Sequence, residues 1–234
     1  MFPTVIRALS VGCLKTLKIF FLTLAGSLPL GLVIAFGSMS KWAPFSRLAK
    51  SSPGLAAFRP ISALTNIIVS IMRGTPLMLQ LLIIYYGPGI LFDNNIWGGG
   101  ANGRLTAALA AFIINYACYF SEIYRGGMES IPKGQYEAGR ALGLSEKQIF
   151  RKIILLQVIR SILPAVGNEV ITLVKDTSLS RIIAIQELIF AGERFIKNGG
   201  VIWPLLFTGV FYLVFSGVLT VLLGKLEKRL DYFA

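Results

Sequence analysis

Between Lys18 and Lys41 this chain carries no charged residue, and the same holds from Gly74 to Phe92, from Leu105 to Ser121 and from Asn198 to Gly224. A helix needs roughly 20 apolar residues to cross the hydrocarbon core of a bilayer. Repeated runs near that length predict an integral membrane protein. Composition agrees, with 55% hydrophobic and 15% charged residues, against roughly 25% charged in soluble domains. At 234 residues the chain is read as a single transmembrane domain over 1–234, too short for a second large soluble one. The amino-terminal apolar stretch is too long for the core of a cleavable signal and is predicted to be retained.

The net charge of +12 would suggest nucleic acid on a soluble protein. Here the basic residues cluster in loops, so they are read as setting orientation in the membrane, with no nucleic-acid partner. There is no histidine, which removes the commonest general base and metal ligand. Cys13 and Cys118 lie in apolar helical sequence, so neither a disulfide framework nor a metal site is expected.

The fold class expected is an all-α membrane protein of about five transmembrane helices. They run from about Gly12 to Gly37, with Pro29 inside, and from Ile61 to Tyr86, ended by Gly87-Pro88-Gly89. The third is Leu105 to Tyr124, the fourth Ser161 to Val174, broken by Pro164, and the fifth Ile202 to Leu223. Ser51-Ser52-Pro53-Gly54 reads as a turn between the first two. Residues 176–200 form a stretch outside the membrane with one short amphipathic helix.

The loop between helices 1 and 2, the loop between helices 3 and 4 and the tail together hold fourteen lysines and arginines. The opposite side holds Arg7, Arg104, Lys175, Arg181, Arg194 and Lys197. This bias predicts the N-terminus outside and the C-terminus inside.

The cytoplasmic segment 131–157 is the most informative. Pro132 signals a helix start, Gln135 to Leu142 reads as one short helix, and Gly143 breaks it. Ser145 with Gln148 three residues on has the form of a capping box. Ile149, Ile153 and Leu156 then fall on one face of a second helix. Such a short-connected helix–turn–helix can transmit force from a soluble partner.

Glu137-Ala138-Gly139, then Gly143, then Ile153-Ile154-Leu155 resembles the EAA loop of ABC importer permeases. Two positions depart from that pattern: Gly139 stands for its second alanine and Leu156 for its proline. Arg73-Gly74-Thr75-Pro76-Leu77, Gln80, Glu122 to Gly127, Ile131 to Gln135, Gly167-Asn168-Glu169 and Lys175 to Leu179 resemble the branch for polar amino acids. Arg181 stands where that branch usually has a small or neutral residue.

The resemblance implies a five-helix subunit of a dimeric pathway in a bacterial inner membrane, paired with an identical or a related permease chain. It implies an ABC ATPase dimer in the cytoplasm, carrying the ATP and magnesium, and a periplasmic or lipid-anchored substrate-binding protein. The cargo implied is a polar amino acid, with basic amino acids and opines in range. The mechanism implied is alternating access.

On the resemblance, Glu137, Ala138, Gly139, Arg140, Gly143 and Leu144 form the ATPase-coupling site. Read from the residues alone, the same loop is equally a solvated amphipathic segment at the membrane interface. Ionisable groups in membrane helices are functional candidates by default. Glu169, beside Asn168, either faces the pathway and holds a cationic group or pairs with Arg73 or Arg160 and fixes the fold. Thr75 and Gln80 either offer polar contacts at an irregular backbone or flank a plain kink. Asn115 glues helices or faces the pathway. Glu122 with Arg125 reads as an i,i+3 ion pair. Lys175, Asp176, Thr177 and Ser178 shape a gate or meet the binding protein, or form a hydrogen-bonded helix end.

No Gly-x-x-x-x-Gly-Lys-Ser/Thr run is present, so ATP hydrolysis is expected from a partner. An ion-gradient-driven secondary transporter is the competing reading, since Glu169 supplies a membrane carboxylate, but no duplicated half is visible. A membrane enzyme is disfavoured, because no nucleophile motif or metal cluster appears and no catalytic residue is assigned.

Overall fold

The structure, a computed structural model, describes residues 2–45, 57–98 and 100–231. The turn expected at 51–54 lies outside the described residues. In order the helices are α1 (Phe2–Ser38), α2 (Pro60–Gly74), α3 (Leu77–Phe92), α4 (Ala101–Glu129), α5 (Lys133–Ala141), α6 (Glu146–Ile149), α7 (Leu155–Asp176), α8 (Leu188–Gly199) and α9 (Trp203–Asp231). A π-helical turn, Phe150–Ile154, joins α6 to α7, and a 3₁₀ helix, Thr177–Ile183, follows α7. No strand occurs among the described residues. Helices α1, α4 and α9 are each long and apolar enough to cross a bilayer.

The chain forms two compact units. One comprises Met1–Gly26, Pro76–Ile114 and Leu163–Ala234, the other Ser27–Thr75 and Asn115–Ile162.

Two expectations about the helices are corrected, and at the second helix one of two alternatives is found. The second predicted helix is interrupted outright. Thr75 (φ −119°, ψ 147°) and Pro76 (φ −63°, ψ 135°) are both extended, and helix resumes only at Leu77. The ring of Pro76 pushes the preceding residue out of the helical region, so a plain kink is not what forms.

The Gly87-Pro88-Gly89 triplet does not end α3, which continues to Phe92 and stops at Asp93 in the left-handed region (φ 49°). Proline at 88 removes the donor that Ile84 O would receive four residues earlier. The indole Nε1 of Trp97 donates to that same oxygen at 2.6 Å. With the orphaned carbonyl satisfied, the helix survives.

Pro164 likewise does not break the fourth helix, which runs unbroken for 22 residues as α7. The fixed φ of proline suits a helix, and in membrane helices neighbouring polar groups and local adjustment meet the freed carbonyl.

Close approach within each unit relies on small residues. A Cβ on Gly12 would lie 2.9 Å from Leu188 Cα, and one on Gly31 would lie 3.0 Å from the backbone oxygen of Ala117. Both contacts are with or beside backbone, so neither position accepts a side chain without movement. Ala107, Ala108, Ala111 and Ala117 are fully buried along α4, the small-residue packing that membrane helices favour.

Candidate functional site

The hairpin over 131–157 is built by local rules. Pro132 (ψ 135°) sits extended at the N-cap of α5. At the other end the amides of Gly143 and Leu144 donate to Arg140 O (2.9 Å) and Gly139 O (3.1 Å). This is a Schellman closure, which needs a left-handed residue, and Gly143 supplies φ +73°. Ser145 then caps α6. Its hydroxyl accepts from Gln148 N, and Gln148 Oε1 accepts from Ser145 N at 2.9 Å. Both halves of the predicted capping box are present. Beneath them Ile149 and Ile154 are fully buried with Val158, and Met128, Ile131, Tyr136 and Leu144 pack around them.

The six coupling candidates therefore divide. Glu137, Ala138, Arg140 and Gly143 are exposed, whereas Gly139 is buried and Leu144 packs inward on the hairpin core. The glycine at 139 has a steric reason: an added Cβ would lie 2.6 Å from Ile149 Cγ1. Arg140 Nε donates to Glu146 Oε1 at 2.7 Å, tying α5 to α6. That pair holds the Arg140 guanidinium pKa above its usual value, through the hydrogen bond to Glu146 first.

Leu142, absent from the sequence-derived candidates, is 76% exposed at the turn. Its signal is an apolar residue placed immediately before the glycine that reverses the chain. Leu156 lies in the first turn of α7 and is exposed.

In the same unit Glu122 accepts two bonds from Arg125, at 2.7 and 3.0 Å, and one from Arg73 at 3.4 Å. Arg125 also reaches Glu129 at 2.9 Å, so the predicted i,i+3 pair is part of a network. Arg73 stands 5.4 Å from the centroid of the Tyr119 ring.

Two pathway candidates converge on the last turn of α2. Thr75 Oγ1 donates to Ile71 O at 2.8 Å, and Asn115 Nδ2 donates to Met72 O at 3.5 Å. The last four carbonyls of a helix are the ones that side chains commonly satisfy. Both side chains thus reach the last turn of the interrupted helix.

The other pathway candidates belong to the other unit. Gln80 is buried in the first turn of α3, Glu169 is half-buried on α7, and Asn168 beside it is exposed. Lys175 is exposed, and Asp176 and Ser178 are half-buried. Thr177 is fully buried and its hydroxyl donates to Val174 O at 2.6 Å. Arg181 forms an ion pair with Glu193 of α8, which accommodates the unusual arginine.

Sequence reasoning also missed Glu187. This fully buried carboxylate caps α8, accepting from Ile189 N and Phe190 N at 2.7 Å each, and receives the Tyr212 hydroxyl at 3.4 Å. Burial pushes its pKa up to about 7, against those stabilising bonds. Among the described residues no group of three or more Cys, Asp or Glu is placed to hold a metal ion.

Known proteins share this arrangement over nearly the whole chain. The glutamine transport system permease protein GlnP of Escherichia coli (strain K12) is 34% identical over 222 residues, covering 94% of this chain and 91% of that protein. The arginine transport system permease protein ArtQ of Bacillus subtilis (strain 168) is 31% identical over 232 residues, covering 97% and 93%. Among solved structures, an amino acid ABC transporter crystallised with histidines superposes with a TM-score of 0.81 at 29% identity, covering 97% of this chain and 96% of that one. Residues 27–232 match the family of binding-protein-dependent transport system inner membrane components. The match favours the ATP-driven reading over the ion-gradient one and places ATP hydrolysis on a separate subunit. With its helical permease fold and these relatives, the chain belongs to the binding-protein-dependent transport system inner membrane components, the permease subunits of ABC importers.

Proposed function

We propose that this subunit conducts polar amino acids across a bacterial inner membrane by alternating access, with the N-terminus outside and segment 131–157 in the cytoplasm. The observation that carries the coupling half is the hairpin itself. Its turn is fixed by Gly143 at φ +73° and by the Ser145–Gln148 box, over a buried core of Ile149 and Ile154. A turn so constrained moves as a body when pushed. Glu137, Arg140 and Leu142 form its exposed side, the side that meets an ATPase dimer.

Closure of the ATPase on ATP displaces the hairpin, which continues through the π turn into α7. Helix α7 carries Asn168 and Glu169, so motion at the hairpin reaches the proposed substrate contacts along one continuous stretch of helix. The Glu169 carboxylate receives the α-amino or cationic group of the cargo. Lys175, Asp176 and Ser178, just beyond, shape the outer gate where a binding protein delivers it. A second permease chain supplies the other wall. The amino-acid assignment rests on the names carried by the glutamine and arginine relatives, with opines inside the same chemical class.

The test is uptake into proteoliposomes holding the permease, its ATPase and loaded binding protein, across a panel of amino acids. We expect ATP-dependent uptake of a polar amino acid. Glu169→Ala should impair it while ATPase assembly survives. Full uptake without the ATPase, or normal uptake by Glu169→Ala, would overturn the assignment.

A further inference from the structure

We propose that the cavity lined by Lys15, Lys18 and Arg104 holds the phosphate of an anionic phospholipid, in the leaflet at the amino-terminal end of α1. The cavity, of about 250 Å³, lies within one unit, between α1, the start of α4 and the link from the 3₁₀ helix to α8. It is lined by three cations and by no carboxylate; Asn102 and Gln186 add polar groups.

None of the ion pairs among the described residues involves Lys15, Lys18 or Arg104. Arg104 spends one donor on Ala184 O at 3.4 Å, which leaves the rest of its guanidinium for a ligand. Lys15 and Lys18 stand three residues apart on one helix face, where like charges repel. An anion between the three cations relieves that repulsion.

Depth selects the kind of anion. Ile19 to Ser40 carries no charge, and at 1.5 Å per residue this run spans roughly 33 Å, close to the thickness of the hydrocarbon core. Lys18 is the first charge beyond one end of it. Arg104 is likewise the last charge before the uncharged run Leu105–Ser121. All three cations therefore sit at one headgroup layer, where lipid phosphates lie. Lysines that merely snorkel would serve any headgroup, whereas three cations with no acid between them favour a net negative one.

The test is native mass spectrometry of the assembled transporter in mixed micelles of phosphatidylglycerol and phosphatidylcholine at equal concentration. One cation near an anionic surface is worth a factor of about five, so we expect at least about fivefold enrichment of phosphatidylglycerol adducts. The K15Q/K18Q/R104Q variant should fall to parity, while K41Q/R59Q, which alters a different cavity, should keep the enrichment. Should the triple variant fail to assemble, the wild-type complex still decides: equal retention of the two lipids overturns the proposal. A third arm adds glycerol phosphate. Displacement of the lipid by glycerol phosphate at equal concentration would assign the cavity to a soluble phosphate and overturn the lipid reading.

Discussion

Leu142 and Leu144 stand two residues apart on either side of one reversing glycine, and their burial differs enough to separate docking from folding. Leu142 is 76% exposed, whereas Leu144 packs on the Ile149–Ile154 core. Full burial of a leucine side chain is worth about 1.5–3 kcal/mol. A partner that covers the exposed three quarters of Leu142 recovers about 1–2 kcal/mol, a factor of roughly 5 to 30 in affinity per docking site. Leu142→Ala should therefore weaken ATPase binding by about that factor. Its melting temperature should match the wild type, since exposed substitutions usually lie within about 0.5 kcal/mol. Leu144→Ala should do the opposite first, lowering stability by up to about 2 kcal/mol through a partial cavity in the hairpin. The assay is titration of labelled ATPase onto permease in nanodiscs, with a thermal melt of each variant. An unchanged ATPase affinity for Leu142→Ala would refute the assignment of this side as the docking surface, and a lowered melt would show that Leu142 serves the fold instead.

Three further outcomes are expected. Gly143→Ala must hold a Cβ at φ +73°, which costs about 1–2 kcal/mol, and Gly143→Pro also removes the amide that donates to Arg140 O; ATP hydrolysis measured against transport should show partial uncoupling in the first and loss of coupling in the second. Gly31→Ala places a Cβ 2.9 Å from Phe120 Cβ and 3.0 Å from Ala117 O, and should lower stability by about 1–3 kcal/mol in a thermal melt. Glu187 has a folded-state pKa raised by burial to about 7 from 4.5, so the folded state holds its proton more tightly than the unfolded one. The resulting stability is fully present below pH 4.5 and is lost as pH rises through 7, by about 3 kcal/mol in all; Glu187→Gln should flatten that slope, measured by melts from pH 4.5 to 8.

What could be read from the chain in advance was whatever local rules decide. The Ser145–Gln148 box, the reversal at Gly143 and the Glu122–Arg125 pair each involve residues within five positions of one another, and all three form. The prolines were harder to read, because their consequences depend on distant donors. Pro88 looks like a terminator until Trp97, nine residues on, donates to Ile84 O. At Thr75–Pro76 the sequence leaves an irregular backbone and a plain kink both open, and the bond from Asn115, 43 residues from Met72, lies beyond local rules. Leu142 and Leu144 cannot be told apart by residue type. Only the Schellman geometry, which sends one outward and the next but one inward, separates them. Glu187 was overlooked because its partners come from its own helix start and from Tyr212 of α9, a pairing with no sequence signature.

These substitute donors bear on which polar residues handle cargo. In hydrocarbon each unsatisfied backbone group costs several kcal/mol, so a broken or proline-bearing membrane helix must recruit side chains before anything else can be done with them. Thr75 serves Ile71 O, Asn115 serves Met72 O and Trp97 serves Ile84 O. Two of the five pathway candidates, Thr75 and Asn115, thereby donate to backbone. Asn168 and Glu169 differ in position: they lie mid-helix on α7, away from either helix end. Thr172, not one of this pair, donates back to Asn168 O at 3.0 Å. The proposed cargo contacts lie on α7, so that proposal expects the α2 break to bear on stability rather than on selectivity. Asn115→Ala should then cost stability, about 1–3 kcal/mol for the exposed carbonyl, with the order of preference among amino acids unchanged. A variant that folds as well as wild type but reorders that preference would move recognition back to the α2 break.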